Sequence, residues 1–394
     1  MKIISKIKGH YSVFLILAII LLQNPVWPFW YIPYTELSFV VILLLFFQKS
    51  RKFRNIRGNQ WLGVFSLVAA FCFIPLLRGG FHGSNFIYIM CFMAALCINT
   101  DESSETLEVL SKILGVIVGV SVVAWLIHMT VRPLPVVGTI DLTAMKGSPT
   151  LMENYIFFVQ NTSARSFRFY SIFDEPGVLG TLGAYILFVN SYNFKKWYNI
   201  ALLIGCLCTM SMAFYVLTII GMVYKNTTSL KTIFLTAIGL LIAYLLLHDI
   251  LIESDDFNSL IVERMTDISG RIDHRTSDMV NSFYDNMSMS EFLFGIGIDA
   301  VVSKGLNTGA SYKLFIIENG LLSLLALIFA YFQINKKNTM PVLVFVGLFW
   351  ISFLQRPTAF NGWQMLTYSC IVTYLGQFER KKPIVKPQYK TAKQ

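Results

Sequence analysis

Residues 107–130 read LEVLSKILGVIVGVSVVAWLIHMT, an apolar run whose charged residues, Glu108 and Lys112, lie near its start. A helix that crosses a membrane needs about 20 mostly apolar residues, and this stretch supplies them. Similar runs recur along the whole chain and predict an all-α, polytopic integral membrane protein. We place the others near 11–22, 35–47, 60–77, 84–98, 171–192, 231–248, 312–333, 341–355 and 363–378.

The composition supports the same class. Of the 394 residues, 55% are hydrophobic and only 14% are charged, whereas soluble domains carry about 25% charged residues. A water-soluble enzyme is therefore excluded. The cysteines all lie inside apolar runs, which leaves no disulfide framework and no zinc-ligand spacing. The net charge of +10 comes from residues at the ends of the predicted helices, so we expect no nucleic acid partner. We also expect no metal, because no set of metal ligands is evident in the sequence.

The stretch 197–224 is long enough for one tilted helix or for two short helices hinged near Met210-Ser211. Cytoplasmic loops of membrane proteins are enriched in lysine and arginine. If the stretch forms two short helices, each is about 21 Å long at 1.5 Å per residue. Most of the 32 lysines and arginines then lie on the same side of the membrane as the N-terminus. This choice predicts about 12 transmembrane helices in a single domain, 1–394. Both termini are then cytoplasmic, including the basic tail 379–394.

Two large external loops, about 131–170 and 249–311, follow from this topology. We expect no cleavable signal peptide, because the first apolar run lacks a small-residue cleavage site. No internal repeat or soluble-domain linker is visible.

The first loop ends in RSFRFYSIFDEPGVLG, residues 165–180. Arg165 and Arg168 precede Asp174 and Glu175, and Pro176 is expected to start or kink the next helix. One interpretation is an acidic helix cap with interfacial arginines, since the helix dipole favours a carboxylate there. The other is a charged cluster at the membrane edge that faces an anionic substrate, because ionisable groups at membrane depth are costly and often functional.

The second loop contains RMTDISGRIDHRTSDMVNSFYDN from Arg264, and a helix is predicted to begin near 269–273. Arg271 and Arg275 are four residues apart and share a helix face, where paired guanidiniums bind a diphosphate well. Local salt bridges with nearby aspartates are the alternative. His274 is either a base near neutral pH or a hydrogen-bonded surface residue.

A third segment, 291–325, contains EFLFGIGIDA and GASYKLFIIENGLLSLL. Gly295 and Gly297 permit a tight backbone turn, although this short pattern matches no nucleotide-binding fingerprint. Glu318, Asn319 and Gly320 fall within a predicted span and are expected to face the bundle interior.

These segments together resemble the O-antigen polymerase and ligase superfamily, and especially the Wzy-type polymerases of bacterial surface polysaccharides. RFYSIFDEPGVLG is similar to the family's Arg, Phe and Glu-Pro signature, and SGRIDHR followed by FLFGIGIDA is similar to its second-loop Arg and Gly-x-Gly. ASYKLFIIENGLLSLL resembles the closing segment. Ser311-Tyr312 replaces the His or Asn usual in ligases, and Ser211-Met212 lacks the Arg of a Ser-Arg pair. Both departures favour a polymerase.

The resemblance implies a GT-C-like fold and a metal-independent, inverting glycosyltransferase without a cofactor, in the bacterial inner membrane. Its donor is a growing glycan on undecaprenyl diphosphate and its acceptor is one lipid-linked repeat unit; a chain-length regulator protein is an expected partner. The predicted catalytic residues are Glu175, Arg271, His274 and Arg275. The predicted substrate- or diphosphate-binding residues are Arg165, Arg168, Arg264, Ser311 and Tyr312. A ligase, or a transporter of lipid-linked oligosaccharide, is the alternative.

Overall fold

The computed structural model describes residues 10–23, 34–77, 83–143, 150–162, 168–226, 277–306, 311–335 and 337–378. Most of these residues are helical, as predicted. The helices are α1 (His10–Leu21), α2 (Tyr34–Lys49), α3 (Gly58–Val68), α4 (Ile74–Leu77), α5 (Ser84–Leu96), α6 (Thr100–Thr130), α7 (Pro176–Val189), α8 (Trp197–Cys208), α9 (Met212–Asn226), α10 (Asp278–Asp285), α11 (Met289–Phe294), α12 (Ile298–Ser303), α13 (Tyr312–Asn319), α14 (Leu321–Ile334), α15 (Met340–Gln355) and α16 (Gly362–Leu375).

Two helical stretches among the described residues are long and apolar enough to cross a membrane. They are Thr100–Thr130 and Gly58–Leu76. In the second stretch a π-helical turn (Ala69–Phe73) joins α3 to α4. The bent pair α13 and α14 adds a third if it forms one span. Other apolar helices have 10–17 residues, fewer than the roughly 20 that a straight crossing needs. The prediction of membrane-length helices is confirmed to this extent.

Helix α6 begins at a capping box. The Asn99 side chain accepts a hydrogen bond from the Glu102 backbone amide at 2.9 Å, and the Glu102 carboxylate accepts one from the Asn99 amide at 3.1 Å. These bonds satisfy amides that have no partner within the helix. Along α6 the apolar side chains of Val116, Val120 and Val123 are exposed, as expected of a surface that meets lipid.

The core forms around two helices, α7 and α16, that are buried on nearly all sides. A helix that is apolar all round is typical of the centre of a bundle. Aromatic side chains from α7, α14, α15 and α16 pack together there: the ring of Tyr331 lies 4.7 Å from that of Tyr368 and 4.8 Å from that of Phe349. Helices α5, α6 and α9 pack against this centre.

A small antiparallel sheet departs from the all-α prediction. Strands β1 (Gly138–Asp141), β2 (Leu151–Asn154) and β3 (Val159–Asn161) lie in order within the predicted loop 131–170. The sheet is anchored to the helices, because the Ser121 hydroxyl donates to the Phe157 carbonyl at 2.7 Å and the Val159 amide donates to the Ser171 carbonyl at 2.8 Å. This loop therefore holds the segment that leads into α7.

Two breaks interrupt the predicted spans. The break at Met210-Ser211 is confirmed: α8 ends at Cys208, Met210 adopts a positive φ of 50°, and α9 starts at Met212. The prediction that 312–333 forms one continuous helix is wrong. It divides at Gly320, whose φ is 82°, and α13 and α14 are bent by 109°. The predicted span 231–248 and the tail 379–394 lie outside the described residues.

Candidate functional site

Glu175 and Arg356 form an ion pair at the start of α7. Arg356 follows α15 directly, so tertiary packing brings together residues that are far apart in the chain. The two side chains keep 38% and 24% of their surface exposed, respectively. A pair with this exposure is accessible to a bound ligand.

Glu175 occupies the N-cap position of α7, but its side chain accepts no capping hydrogen bond. The predicted position of this carboxylate at the start of the helix is therefore correct, although it makes no capping hydrogen bond. Pro176 is the first helical residue, as predicted, since its missing amide hydrogen costs nothing there. A Cβ added at Gly177 would overlap the Arg356 guanidinium. Glycine is thus what allows the guanidinium to lie against the first turn of α7.

Arg168 joins the segment before α7 to the break between α8 and α9. Its Nε donates to the Thr209 carbonyl at 3.0 Å and its Nη2 donates to the Met210 carbonyl at 3.4 Å. Ser211 packs closely on Gly180 of α7. Arg168 therefore lies at the same end of the bundle as the ion pair. A cation beside carbonyls that follow a helix C-terminus is also stabilising, so Arg168 has a structural role in addition to any binding role.

Ser311 and Tyr312 lie at the start of α13. Ser311 is the N-cap residue, and its buried hydroxyl has no hydrogen-bond partner among the described residues. The Tyr312 ring lies 6.5 Å from that of Tyr284, and Lys313 donates to the Asn281 side chain at 3.0 Å. Burial raises the pKa of Tyr284. These contacts tie α13 to α10.

The glycine turn near residue 295 contacts the far end of α13. The Ile296 amide donates to the Ile317 carbonyl at 2.7 Å, and the Gly297 amide donates to the Glu318 carbonyl at 3.0 Å. Gly295 and Gly320 face each other, and a Cβ on either would overlap the opposite backbone. The turn thus satisfies carbonyls at the helix end and stabilises the break.

The remaining predicted site residues, Arg165, Arg264, Arg271, His274 and Arg275, lie outside the described residues, as does the helix start predicted near 269–273. His128 accepts a hydrogen bond from the Leu134 amide at 3.0 Å. No group of three or more His, Cys, Asp and Glu side chains within the described ranges is placed to hold a metal ion.

Sequence reasoning missed Arg356. Its signal is a single arginine followed by proline between two apolar runs, FWISFLQRPTAFNGW. Such a charge next to a span is a reason to search for a partner, but nothing local in the sequence identifies Glu175 as that partner.

No protein-family model, curated protein or solved structure matches the chain.

Proposed function

We propose that this protein is a polysaccharide polymerase of the bacterial inner membrane, with about 12 spans and both termini in the cytoplasm. It transfers a growing glycan from undecaprenyl diphosphate onto one lipid-linked repeat unit at the outer face. The membrane-length helices, the apolar surface of α6 and the excess of basic residues in the predicted cytoplasmic segments support the location.

The observation that carries the proposal is the accessible Glu175–Arg356 pair, with Arg168 at the same end of the bundle. In the reaction, an acceptor hydroxyl oxygen bonds to the anomeric carbon of the donor while the bond from that carbon to the lipid diphosphate breaks. A base takes the hydroxyl proton, and cations stabilise the charge on the leaving diphosphate. The pair offers one group of each kind.

In this mechanism Glu175 is the base, and His274 is the second candidate for that role. Arg356, Arg168 and the paired guanidiniums of Arg271 and Arg275 stabilise the diphosphate, because arginine binds phosphate oxygens bidentately. Attack opposite the leaving group inverts the anomeric centre.

The test is a gel ladder of surface polysaccharide from a strain that lacks the gene, with and without complementation. A polymerase leaves a core that carries one repeat unit, and complementation restores the ladder. Glu175→Gln should fail to restore it, whereas Glu108→Gln, which changes an exposed carboxylate on α6, should restore it fully. A core without any repeat unit, with polymer left on the lipid carrier, would establish a ligase instead.

A lipid-linked oligosaccharide transporter is the second candidate, and the 109° break between α13 and α14 favours it. Transporters bind their substrates at discontinuous helices near the bilayer midplane. Loss of all externally exposed repeat units in the deletion strain would support this function and exclude the polymerase.

A further inference from the structure

A cavity of about 530 Å³ lies beside the helix break, between the π-helical turn, the start of α5, the start of α12 and the turn after α15. Its volume falls within the range of about 300–1,000 Å³ typical of small-molecule sites. The polar side chains that line it are Asn85, Asp299, Glu318, Asn319 and Asn361.

Irregular backbone forms two of the cavity walls. On one wall the π-helical turn presents Ala70, and the Asn85 side chain donates to the Phe71 carbonyl at 2.6 Å. On the other wall the Gly295–Gly320 contact ends α13 at Asn319. π-Helical turns inside α-helices occur frequently at functional sites. The cavity is therefore built by specific backbone departures.

The chemistry of the lining selects the ligand. The described residues that line it include two carboxylates and three amides, and none of these described residues is a lysine, arginine or histidine. Carboxylates repel a phosphate. Carboxylates and amides accept hydrogen bonds from hydroxyl groups, and amides also donate hydrogen bonds to them. Tyr88 and Phe360, whose rings meet edge to face at 5.1 Å, add an apolar wall. A neutral, hydroxyl-rich ligand with an apolar face, such as a carbohydrate, satisfies this set.

The cavity is adjacent to the ion pair along the chain. Arg356 pairs with Glu175, and the next residue, Pro357, lines the cavity. The cavity lining thus begins one residue after Arg356, the partner of Glu175.

We propose that this cavity holds the neutral sugars of the lipid-linked acceptor, while the arginines bind the diphosphate of the donor. The assignment of the sugar to the acceptor rests on the proposed polymerase function. The presence of a carbohydrate subsite does not, since it follows from the lining itself.

The test measures binding to the full-length protein in nanodiscs. The probe is the neutral oligosaccharide repeat unit released from the host's surface polysaccharide and freed of phosphate. Ala300→Trp fills the cavity from α12, and the matched control Val302→Trp changes a side chain on the same helix that is 56% exposed. We expect Ala300→Trp to weaken binding at least tenfold and Val302→Trp to leave it within twofold. Added sodium diphosphate should not displace the probe.

Equal binding by both variants, or displacement of the probe by diphosphate, overturns the subsite. The combined change Asp299→Asn and Glu318→Gln keeps the side-chain sizes and should also weaken binding at least tenfold, which guards against misfolding of the tryptophan variant. In the polymerisation assay, Ala300→Trp should raise the KM for the lipid-linked repeat unit at least tenfold and leave the KM for the polymer donor within twofold; equal effects on both substrates reject the acceptor assignment. An unchanged ladder in the deletion strain would reject the polymerase, yet the binding assay would still decide the subsite.

Discussion

Two cation–carboxylate pairs, Lys49–Glu102 and Arg356–Glu175, have opposite surroundings. Lys49 and Glu102 keep only 3% and 17% of their side-chain surface exposed, compared with 24% for Arg356 and 38% for Glu175. The first pair joins α2 to the start of α6, and the second joins α15 to the start of α7.

The buried pair is surrounded by further partners. The Lys49 ammonium lies 2.5 Å from the Glu102 carboxylate and 3.6 Å from the centre of the Tyr11 ring. Glu102 also contacts Lys52 at 3.3 Å and closes the capping box with Asn99. Every part of this arrangement serves to position helices, so we assign it a structural role.

In the accessible pair, the Glu175 side chain makes no capping hydrogen bond to α7, and Pro357, the residue after Arg356, lines a cavity. The comparison teaches that burial, and not charge pairing itself, separates the two roles. Removing one partner of a buried pair leaves an uncompensated buried charge and lowers the free energy of unfolding. In an accessible pair, either side chain is able to exchange its partner for a substrate.

The largest expected effect is on catalysis. Glu175→Gln should lower the rate of polymer formation by about 10²–10⁴-fold, the usual contribution of a general base. The free energy of unfolding should change little, because both side chains of the pair are partly exposed. The rate is measured with purified protein and lipid-linked repeat units, and thermal unfolding is measured on the same sample. A variant that loses stability and keeps its rate per folded molecule would reverse the comparison.

The buried pair should show the opposite pattern. Glu102→Gln should lower the free energy of unfolding by about 3–5 kcal/mol, because Lys49 is left buried without its carboxylate. The rate per folded molecule should stay unchanged. Denaturant unfolding in detergent tests this, with Glu108→Gln as the control, since the exposed pair of Glu108 with Lys112 contributes about 0.3–0.5 kcal/mol. A loss below 1 kcal/mol would show that the Lys49–Glu102 pair is not structural.

Gly177→Ala sharpens the comparison by moving Arg356 without removing any charge. The added methyl group occupies the position of the guanidinium, and a displacement of about 1 Å at a site costs up to about 10²-fold in rate. We expect a loss of about 10-fold or more in the polymerisation assay. Gly119→Ala, where the new methyl group meets the Ala201 Cβ at 3.4 Å, is the matched control and should keep the wild-type rate.

The smallest expected effect is on pH dependence. Burial lowers the pKa of Lys49 to about 8, whereas an unfolded lysine has a pKa near 10.4. Between these values the unfolded chain binds more protons, so stability rises with pH through this residue, by at most about 1.4 kcal/mol per pH unit. Unfolding measured at pH 7, 8 and 9 should show this rise in the wild type and a smaller one in Lys49→Met. Identical slopes would contradict the assigned pKa.

Local sequence signals predicted much of the helical architecture. The apolar run 107–130 lies within α6, Pro176 starts α7, and the chain breaks at Met210-Ser211. The first two predictions used only local properties, the length of an apolar run and the backbone preference of proline. The break was chosen from the distribution of lysine and arginine along the chain.

The sheet in the first loop and the break at Gly320 were not predicted. Strands of three or four residues are too short for a clear alternating pattern. Gly320 follows Glu318 and Asn319 within a segment that is otherwise apolar. At the break, Gly320 closely approaches Gly295, which lies 25 residues earlier in the chain. That contact leaves no periodic pattern in either segment.

The sequence by itself was thus enough to predict a mostly helical chain with apolar runs of membrane-spanning length. It also indicated Glu175 and Arg168 as charged residues at the edge of a predicted span. Only the tertiary structure decided that Glu175 pairs with Arg356, that Gly177 makes room for the guanidinium, and that a carbohydrate-sized cavity begins at Pro357. The physical reason is that helix formation depends on neighbouring residues. An ion pair or a cavity depends on which helices pack together, and a single sequence does not encode that packing as a local pattern.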